Sequence, residues 1–200
     1  MNRLHLTPNF RGWTAIVLHR PHAAADAVLR QLERLGIAAH RIWSELGPED
    51  AGADVVFFDA DMGYDDQFPW PAGQAPMPLI ALLGSEAPGR VQWALTQGAD
   101  AHLLKPIGSG GVFSSLVIAE RSYHARERLT REVEDLKGRL ARRPQVARAM
   151  VMLMMSEQID ETAAFRRLRE IAMASRRTIE DAAETLIENR NHPDVSRHRA

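Results

Sequence analysis

The chain has 200 residues, which suffices for one or two small domains with a sizeable core. It contains no cysteine, so a disulfide framework and a thiolate zinc site are excluded. The formal net charge is -1, but residues 1–112 carry 8 Lys+Arg and 12 Asp+Glu, whereas residues 113–200 carry 17 and 14. An arginine-rich tail on an acidic body favours a nucleic-acid partner.

The sequence also argues against several other classes of protein. No apolar run approaches the roughly 18 residues that span a bilayer, and residues 1–11 lack the apolar stretch of a signal peptide, so we expect a cytoplasmic protein. The histidines form no i, i+4 pair on a helix, and no nucleophile–base arrangement is recognisable. We therefore expect no metal, no cofactor and no enzymatic activity.

Five short apolar segments in the first half are predicted to be strands, at residues 14–18, 37–43, 54–58, 78–83 and 101–104. The amphipathic segments 22–35 and 90–97 are predicted helices, whereas 64–78, with four prolines and two aspartates, is predicted to be a loop. Continuous apolar strands that alternate with helices predict an α/β fold with a parallel sheet covered on both faces. Residues 1–111 are the predicted first domain.

Residues 112–143 are predicted to form one long helix, roughly 48 Å in length at about 1.5 Å per residue. A seven-residue repeat runs along it, at Ala119, Ser122, Arg126, Leu129, Val133, Leu136 and Leu140. This pattern predicts a coiled coil that dimerises through Leu129, Val133, Leu136 and Leu140. The alternative is an edge helix packed on its own domain; the polar outer faces favour the coiled coil. Pro144 is predicted to end the helix, because proline disfavours helical geometry at the residue before it.

Residues 144–192 are predicted to form a third domain of three short amphipathic helices, at 145–155, at 161–174 and after Thr178. A turn at 156–159 separates the first two helices, and Asp160 and Thr178 are the predicted N-caps of the second and third. The apolar residues at helical spacing, predicted to line the inner faces, are Val146, Ala149, Met150, Leu153, Ala164, Phe165, Leu168, Ile171, Ala172, Ile179, Ala182, Ala183, Leu186 and Ile187.

The third predicted strand ends in Asp59-Ala60-Asp61-Met62, and Lys105-Pro106 follows the fifth. With these motifs the first domain resembles the receiver domains of response regulators. The resemblance implies a flavodoxin-like fold, a phosphoacceptor position at Asp59 and a lysine partner in Lys105. The aspartates of this region lack the spacing of a calcium loop, and the alternative interpretation is a solvated acidic loop of Asp59, Asp61, Asp65 and Asp66.

The receiver motif is incomplete. The acidic pair that holds Mg²⁺ in that family is replaced by His19 and Arg20, and the expected small hydroxyl residue is Leu83. Without a cation the phosphoryl oxygens and the carboxylate repel each other. We therefore interpret the domain as a pseudo-receiver with a vestigial phosphoacceptor pocket of Asp59, Lys105, His19 and Arg20, in which Asp59 pairs with Lys105 or Arg20.

The tail carries an ordered set of short motifs: Ala149-Met150-Val151-Met152-Leu153-Met154, Ala164-Phe165-Arg166-Arg167-Leu168-Arg169, Ala172-Met173 and residues 179–183. With these motifs the tail resembles the ANTAR domain, the RNA-binding antiterminator module, and the whole layout resembles the AmiR-like antiterminators. That family usually has a lysine where this chain has Met150, and Arg148 is a candidate source of the missing charge.

Five arginines on or beside the short helices are predicted to bind RNA: Arg148, Arg166, Arg169, Arg176 and Arg177. Guanidinium groups bind phosphates bidentately and stack on the splayed bases of RNA loops. The alternative, for each of them, is an ordinary solvated surface arginine.

The resemblance implies a transcription antitermination regulator whose homodimer binds hairpins of a leader mRNA. Control is then expected from a sequestering negative regulator, a ligand sensor of the periplasmic-binding-protein type that releases the antiterminator when inducer binds. One alternative is a phosphorylation-dependent two-component response regulator with a nucleic-acid-binding output. Another is a scaffold whose tail binds protein.

Overall fold

The computed structural model of the chain describes residues 8–191, without the side chains of residues 139, 190 and 191. The chain divides into two compact units, Met1–Arg128 and Leu129–Ala200. Residues 1–7 of the predicted first domain and residue 192 of the predicted third domain lie outside the described residues. Within residues 8–191, no helix is both long and apolar enough to cross a membrane.

The first unit is built on a five-stranded parallel sheet. Its strands are β1 (Thr14–Leu18), β2 (Ala38–Ile42), β3 (Val55–Asp59), β4 (Leu79–Leu83) and β5 (Ala101–Leu104). The strand order is β2-β1-β3-β4-β5, and every neighbouring pair is parallel. This order is that of the flavodoxin-like fold, so the predicted fold class is confirmed. The apolar sequences of β3 and β4 are buried throughout, whereas β2 and β5, with polar residues interleaved, lie at the two edges.

Helices cover both faces of this sheet. Helix α1 (Ala23–Arg34) and the first turns of α3 (Val112–Glu157) cover one face, where Val28, Leu32 and Leu116 are buried. Helix α2 (Pro88–Thr96) and the segment after β3 cover the other face. That segment contains only a short 3-10 turn, Asp65–Gln67, as its prolines predict. Gly36 follows α1 with φ +73°, a conformation that glycine adopts without strain.

Helix α3 has 46 residues and continues through Pro144, so the predicted helix end at that residue is wrong. The first predicted tail helix is therefore the C-terminal part of α3. Proline removes one backbone donor and crowds the preceding turn, which weakens a helix without forbidding it. Residues 141–145 are exposed, so water can solvate the carbonyl that Pro144 leaves without a donor.

The second unit packs residues of α3 against α4 (Glu161–Ser175) and α5 (Ile179–Asn191). The buried core consists of Ala149, Leu153, Ala164, Leu168, Ala172, Ala182, Ala183 and Ile187. Both predicted N-caps are confirmed: the Ala163 N–H donates to the Asp160 carboxylate at 2.7 Å, and the Asp181 N–H donates to the Thr178 hydroxyl at 3.1 Å. The inner position predicted for Phe165 is wrong, because 44% of that residue is exposed.

Candidate nucleic-acid interface and receiver-like carboxylate site

The carboxyl ends of β1, β3 and β5 bring three polar residues together in the first unit. Parallel strands end at the same edge of a sheet, so the residues that follow them meet there. The Lys105 Nζ lies 2.7 Å from the Asp59 Oδ1, and the His19 Nε2 lies 3.2 Å from the Asp59 Oδ2. Asp59 is only 2% exposed, so its carboxylate depends on these neighbours for compensation of its charge.

Asp61 is a fourth member of this cluster, and the prediction that it belongs to a solvated loop is wrong. Its carboxylate lies 2.7 Å from the Lys105 Nζ and accepts two short contacts, 2.7 and 3.0 Å, from the Gly84 N–H. Burial alone would raise the pKa of Asp61, but the hydrogen bonds from Lys105 and Gly84 and the charges of Lys105 and Arg90 lower it overall. A Cβ at position 84 would lie 2.6 Å from the Asp61 Oδ2, so a larger residue there would displace the Asp61 carboxylate from this contact.

His19 is buried and completes the cluster. Its Nδ1 lies 2.8 Å from the Arg20 carbonyl oxygen, and its Nε2 lies 3.3 Å from the Lys105 Nζ. Burial lowers the pKa of His19, and this effect exceeds the opposing influence of the Arg20 carbonyl and the Asp59 charge. The Nδ1–H donates to the Arg20 carbonyl, whereas Nε2 faces two groups: a protonated Nε2 donates to the Asp59 carboxylate, and an unprotonated one accepts from the Lys105 ammonium. Arg20 itself is exposed and contributes only this carbonyl oxygen to the described contacts.

The donor set of this cluster does not fit the Mg²⁺ of a receiver domain. Magnesium is held by oxygen ligands, whereas an imidazole follows β1 and the Lys105 ammonium lies between the Asp59 and Asp61 carboxylates. Among the described residues, no group of three or more His, Asp or Glu side chains is arranged to hold a metal ion. The pair Asp61–Gly84, which links β3 to the end of β4, was not predicted from the sequence; a glycine directly after an apolar strand was its only signal.

The arginines of the second unit differ in whether a carboxylate neutralises them. Arg142 Nη1 lies 2.7 Å from Asp181 Oδ1, and Arg167 lies 3.4 Å from Glu157 and 3.5 Å from Glu170. The hydrogen bond from Thr178 and the charge of Arg142 lower the pKa of Asp181. These ion pairs are exposed, and such pairs contribute little to stability.

The five arginines predicted to bind RNA are all exposed: Arg148 on α3, Arg166 and Arg169 on α4, and Arg176 and Arg177 after it. Arg177 donates to the Thr185 hydroxyl at 3.0 Å, and Arg176, with φ 54°, ends α4 in the left-handed conformation. Within residues 8–191, no carboxylate lies within ion-pair distance of any of these five side chains. Their positive charge is therefore available to a ligand.

The four apolar residues of the predicted dimerisation seam lie exposed on α3. The exposed fractions are 58% for Leu129, 47% for Val133, 56% for Leu136 and 60% for Leu140. Their spacing of three and four residues places them along one side of the helix.

Comparison with known proteins assigns both parts of the chain. The AmiR N-terminal family matches residues 13–120, more than half of the chain, and the ANTAR domain matches residues 134–187. The chain belongs to the AmiR family. It is a transcription antitermination regulator with an RNA-binding ANTAR domain.

Two curated regulators resemble this AmiR-family chain. The aliphatic amidase regulator of Pseudomonas aeruginosa is 27% identical over 192 residues, which are 94% of this chain and 98% of that protein. The transcriptional regulatory protein PdtaR of Mycobacterium tuberculosis is 28% identical over 116 residues, 58% of this chain and 57% of PdtaR. A receiver domain of a diguanylate cyclase from Desulfovibrio desulfuricans aligns with 17% identity, a TM-score of 0.44 and coverage of 57% of this chain and 98% of that chain.

The ANTAR domain of this AmiR-family chain differs from the usual motif at Met150. Met150 is half-buried and packs against the core that contains Ala149 and Leu153. A methionine at the rim of the core adds apolar contact but no charge. Arg148, two residues earlier on α3, is exposed and is the nearest cation among the five predicted arginines in sequence.

Proposed function

We propose that this protein prevents transcription termination as a homodimer whose two ANTAR domains bind two hairpins of one leader mRNA. The observation that carries the proposal is the set of exposed arginines in the second unit that no carboxylate within residues 8–191 neutralises. Arg148, Arg166 and Arg169 are the central members of this set. An arginine on a folded surface whose only task is solubility is commonly interleaved with acids, as Arg167 is with Glu157 and Glu170.

The chemistry of arginine explains why RNA, in single-stranded loops, is the proposed ligand. A guanidinium group presents a planar fork of donors that matches two phosphate oxygens, and its flat face stacks on an unpaired base. Proteins that read RNA sequence do so mostly in loops, where the bases are splayed and accessible. A hairpin loop thus offers phosphates and open bases together, which is what Arg148, Arg166 and Arg169 are suited to bind.

Dimerisation is proposed to occur through the seam of Leu129, Val133, Leu136 and Leu140 on α3. Each of these residues is about half exposed in the single chain, and a heptad seam buries such residues against a second copy. In the dimer two ANTAR domains are tethered to each other. Once one domain has bound the first hairpin, binding of the second hairpin is intramolecular, and this raises the overall affinity without new contacts.

Control is proposed to come from a sequestering partner rather than from phosphorylation. A phosphoacceptor carboxylate must reach a phosphoryl donor, and the charge of the product must be neutralised by a cation. Here Asp59 is buried and already engaged by Lys105 and His19. We therefore propose, by analogy with the family, a ligand sensor of the periplasmic-binding-protein type as the negative regulator.

Incubation with radiolabelled acetyl phosphate should leave the wild type as unlabelled as Asp59→Asn; labelling of the wild type alone would restore the response-regulator alternative.

The proposed function is tested by binding of the full chain to a two-hairpin leader RNA at several salt concentrations. We expect binding that weakens steeply with salt, because phosphate contacts release counterions. The triple variant Arg148→Ala, Arg166→Ala, Arg169→Ala should bind more weakly at low salt. Its slope of log K against log salt should be shallower by about 0.7 for each phosphate group that the variant no longer binds.

The matched control is Arg167→Ala, which removes an arginine of the same helix that is already paired with Glu157 and Glu170. This variant should bind RNA nearly as the wild type does. Absence of RNA binding by the folded wild-type dimer would refute the proposal and support the protein-binding scaffold. Equal weakening by Arg167→Ala and the triple variant would show that general charge, rather than this set of arginines, binds the RNA.

A further inference from the structure

Helix α4 exposes two large apolar side chains on its outer side. Phe165 is 44% exposed and Met173 is 70% exposed, whereas Ala164, Leu168 and Ala172 of the same helix are at most 3% exposed. The Phe165 ring is not part of the core of the unit, whereas the preceding residue, Ala164, is fully buried in it. A single exposed apolar side chain is ordinary on a protein surface, but Phe165 and Met173 lie on the same side of α4 as Arg169, so apolar and cationic groups occur together there.

Two arginines flank this ring without any carboxylate partner in the described part of the chain. Phe165, Arg169 and Met173 follow one another at intervals of four residues and therefore lie along one side of α4. Arg166 lies on the adjoining outward side. Glu161, one turn before Phe165, limits the basic stretch at the start of the helix. The side therefore presents an aromatic ring followed by cations, in contrast to the neutralised Arg167.

This combination fits an unpaired nucleotide. Every base has a π-face that stacks on an aromatic ring, and proteins that bind single strands combine such rings with cations along the backbone. A paired stem offers no such base, because the major groove of an A-form helix is too narrow for a side chain to read. A second protein surface would have to supply both an apolar contact for Phe165 and carboxylates for Arg166 and Arg169, whereas one unpaired nucleotide carries a base and a phosphate together.

We propose that Phe165 stacks on one unpaired base of the RNA hairpin loop while Arg166 and Arg169 bind the phosphates beside that base. This inference rests on the proposed RNA-binding function and adds to it a stacking residue that is not an arginine. It also gives a reason for the exposure of Phe165, which the helical pattern of the sequence places inside.

The test uses the full-length dimer and a two-hairpin leader RNA in which one loop base at a time is replaced by the fluorescent analogue 2-aminopurine. Stacking on Phe165 should quench the probe at one loop position of the wild-type complex. Phe165→Leu keeps the apolar bulk but removes the ring, and should weaken binding by about 5- to 150-fold, the range for loss of one stacked base. Phe165→Tyr keeps the ring and should retain both binding and quenching.

The outcomes separate this inference from the proposed function. Absence of RNA binding by the wild type would refute the function and the inference together. RNA binding by the wild type that Phe165→Leu leaves unchanged, with the quenching intact, would overturn the inference alone. Met155→Leu, at a 75% exposed residue of α3, is the matched control and should bind as the wild type does. If Phe165→Leu changed the mass of the protein in sedimentation without RNA, the ring would belong to a protein contact and the inference would fail.

Discussion

The two units place charged side chains in opposite circumstances. In the first unit, Asp59 is 2% exposed, and the side chain of its partner Lys105 is 10% exposed. In the second unit, the arginines Arg148, Arg166 and Arg169 are exposed and have no carboxylate partner among the described residues. A buried charge must be neutralised within the fold, whereas an exposed charge is solvated by water and remains able to bind a ligand.

The surroundings of Asp59 support the proposal that this receiver-like site is not phosphorylated. Asp59 and Lys105 are the residue types that a receiver domain uses for phosphoryl chemistry. Their neighbours differ, however, because His19 supplies an imidazole and Asp61 supplies a second carboxylate for the same ammonium. The lysine thereby joins two carboxylates of its own chain. The identity of the residues around a functional pair decides whether that pair binds a ligand or stabilises the fold.

The largest effect is expected when the first cluster is broken at Lys105. The variant Lys105→Met leaves the buried Asp59 carboxylate without its ammonium partner, which should lower the free energy of unfolding by about 3–5 kcal/mol. Urea unfolding followed by tryptophan fluorescence measures this loss in the first unit, because all tryptophans lie there, at Trp13, Trp43, Trp70 and Trp93.

The control for this experiment removes both charges. In the double variant Asp59→Asn, Lys105→Met no buried carboxylate remains at position 59, so most of the lost stability should return. A loss of less than about 1 kcal/mol in Lys105→Met, the size of an exposed ion pair, would show that water neutralises Asp59 and that the cluster is open.

A smaller effect is expected at the apolar seam, which extends the comparison from charges to hydrophobic surface. Leu136 is 56% exposed in the single chain and should be buried in the proposed dimer. Leu136→Lys should raise the dissociation constant of the dimer at least about tenfold, because each protomer loses the burial of the exposed half of one leucine, about 0.8–1.5 kcal/mol. Sedimentation over a range of concentrations measures the change.

Leu95→Lys is the control for the seam, since Leu95 is 59% exposed but belongs to α2 of the first unit. It should leave the dissociation constant unchanged. A wild type that stays monomeric at all concentrations would instead support the alternative of a single edge helix.

Much of the fold could be predicted from the sequence because its signals are local. The strands β3 and β4 are continuous apolar runs that only a doubly covered sheet buries, and Asp160 and Thr178 cap their helices through their own side chains. Pro144 was predicted wrongly for the converse reason. The rule for proline describes a local preference, but the flanking residues on both sides favour a helix strongly enough for α3 to continue.

The sites were less predictable because they depend on contacts between distant segments. The receiver-like motifs predicted that Asp59 and Lys105 are partners. The contact between Asp61, which follows β3, and Gly84, which follows β4, belongs to no sequence motif. Likewise, helical spacing predicted that Phe165 lies inside with Leu168 and Ala172. In the structure, buried alanines of the facing helices pack the core, and the Phe165 ring is not part of it. Such packing choices follow from side-chain volumes in three dimensions, not from periodicity.

The smallest effect is expected from pH, and it tests whether the first cluster requires a neutral His19. Burial lowers the pKa of His19 below its ordinary value of 6.5, despite the nearby Asp59. The unfolded chain therefore binds a proton as the pH falls through 6.5, while the folded chain resists it. Stability is present above that pH and is lost below it, with a slope of up to about 1.4 kcal/mol per pH unit for one proton, until the lower pKa of the folded state is reached.

His19→Gln should remove this slope from urea unfolding followed between pH 7.5 and 5.5, whereas His102→Gln, at an exposed residue of β5, should keep it. Asp61, whose pKa is lowered, stays ionised throughout this range, so it adds no slope of its own. An unchanged slope in His19→Gln would mean that the cluster accepts the proton and that its charges are not closed within the fold.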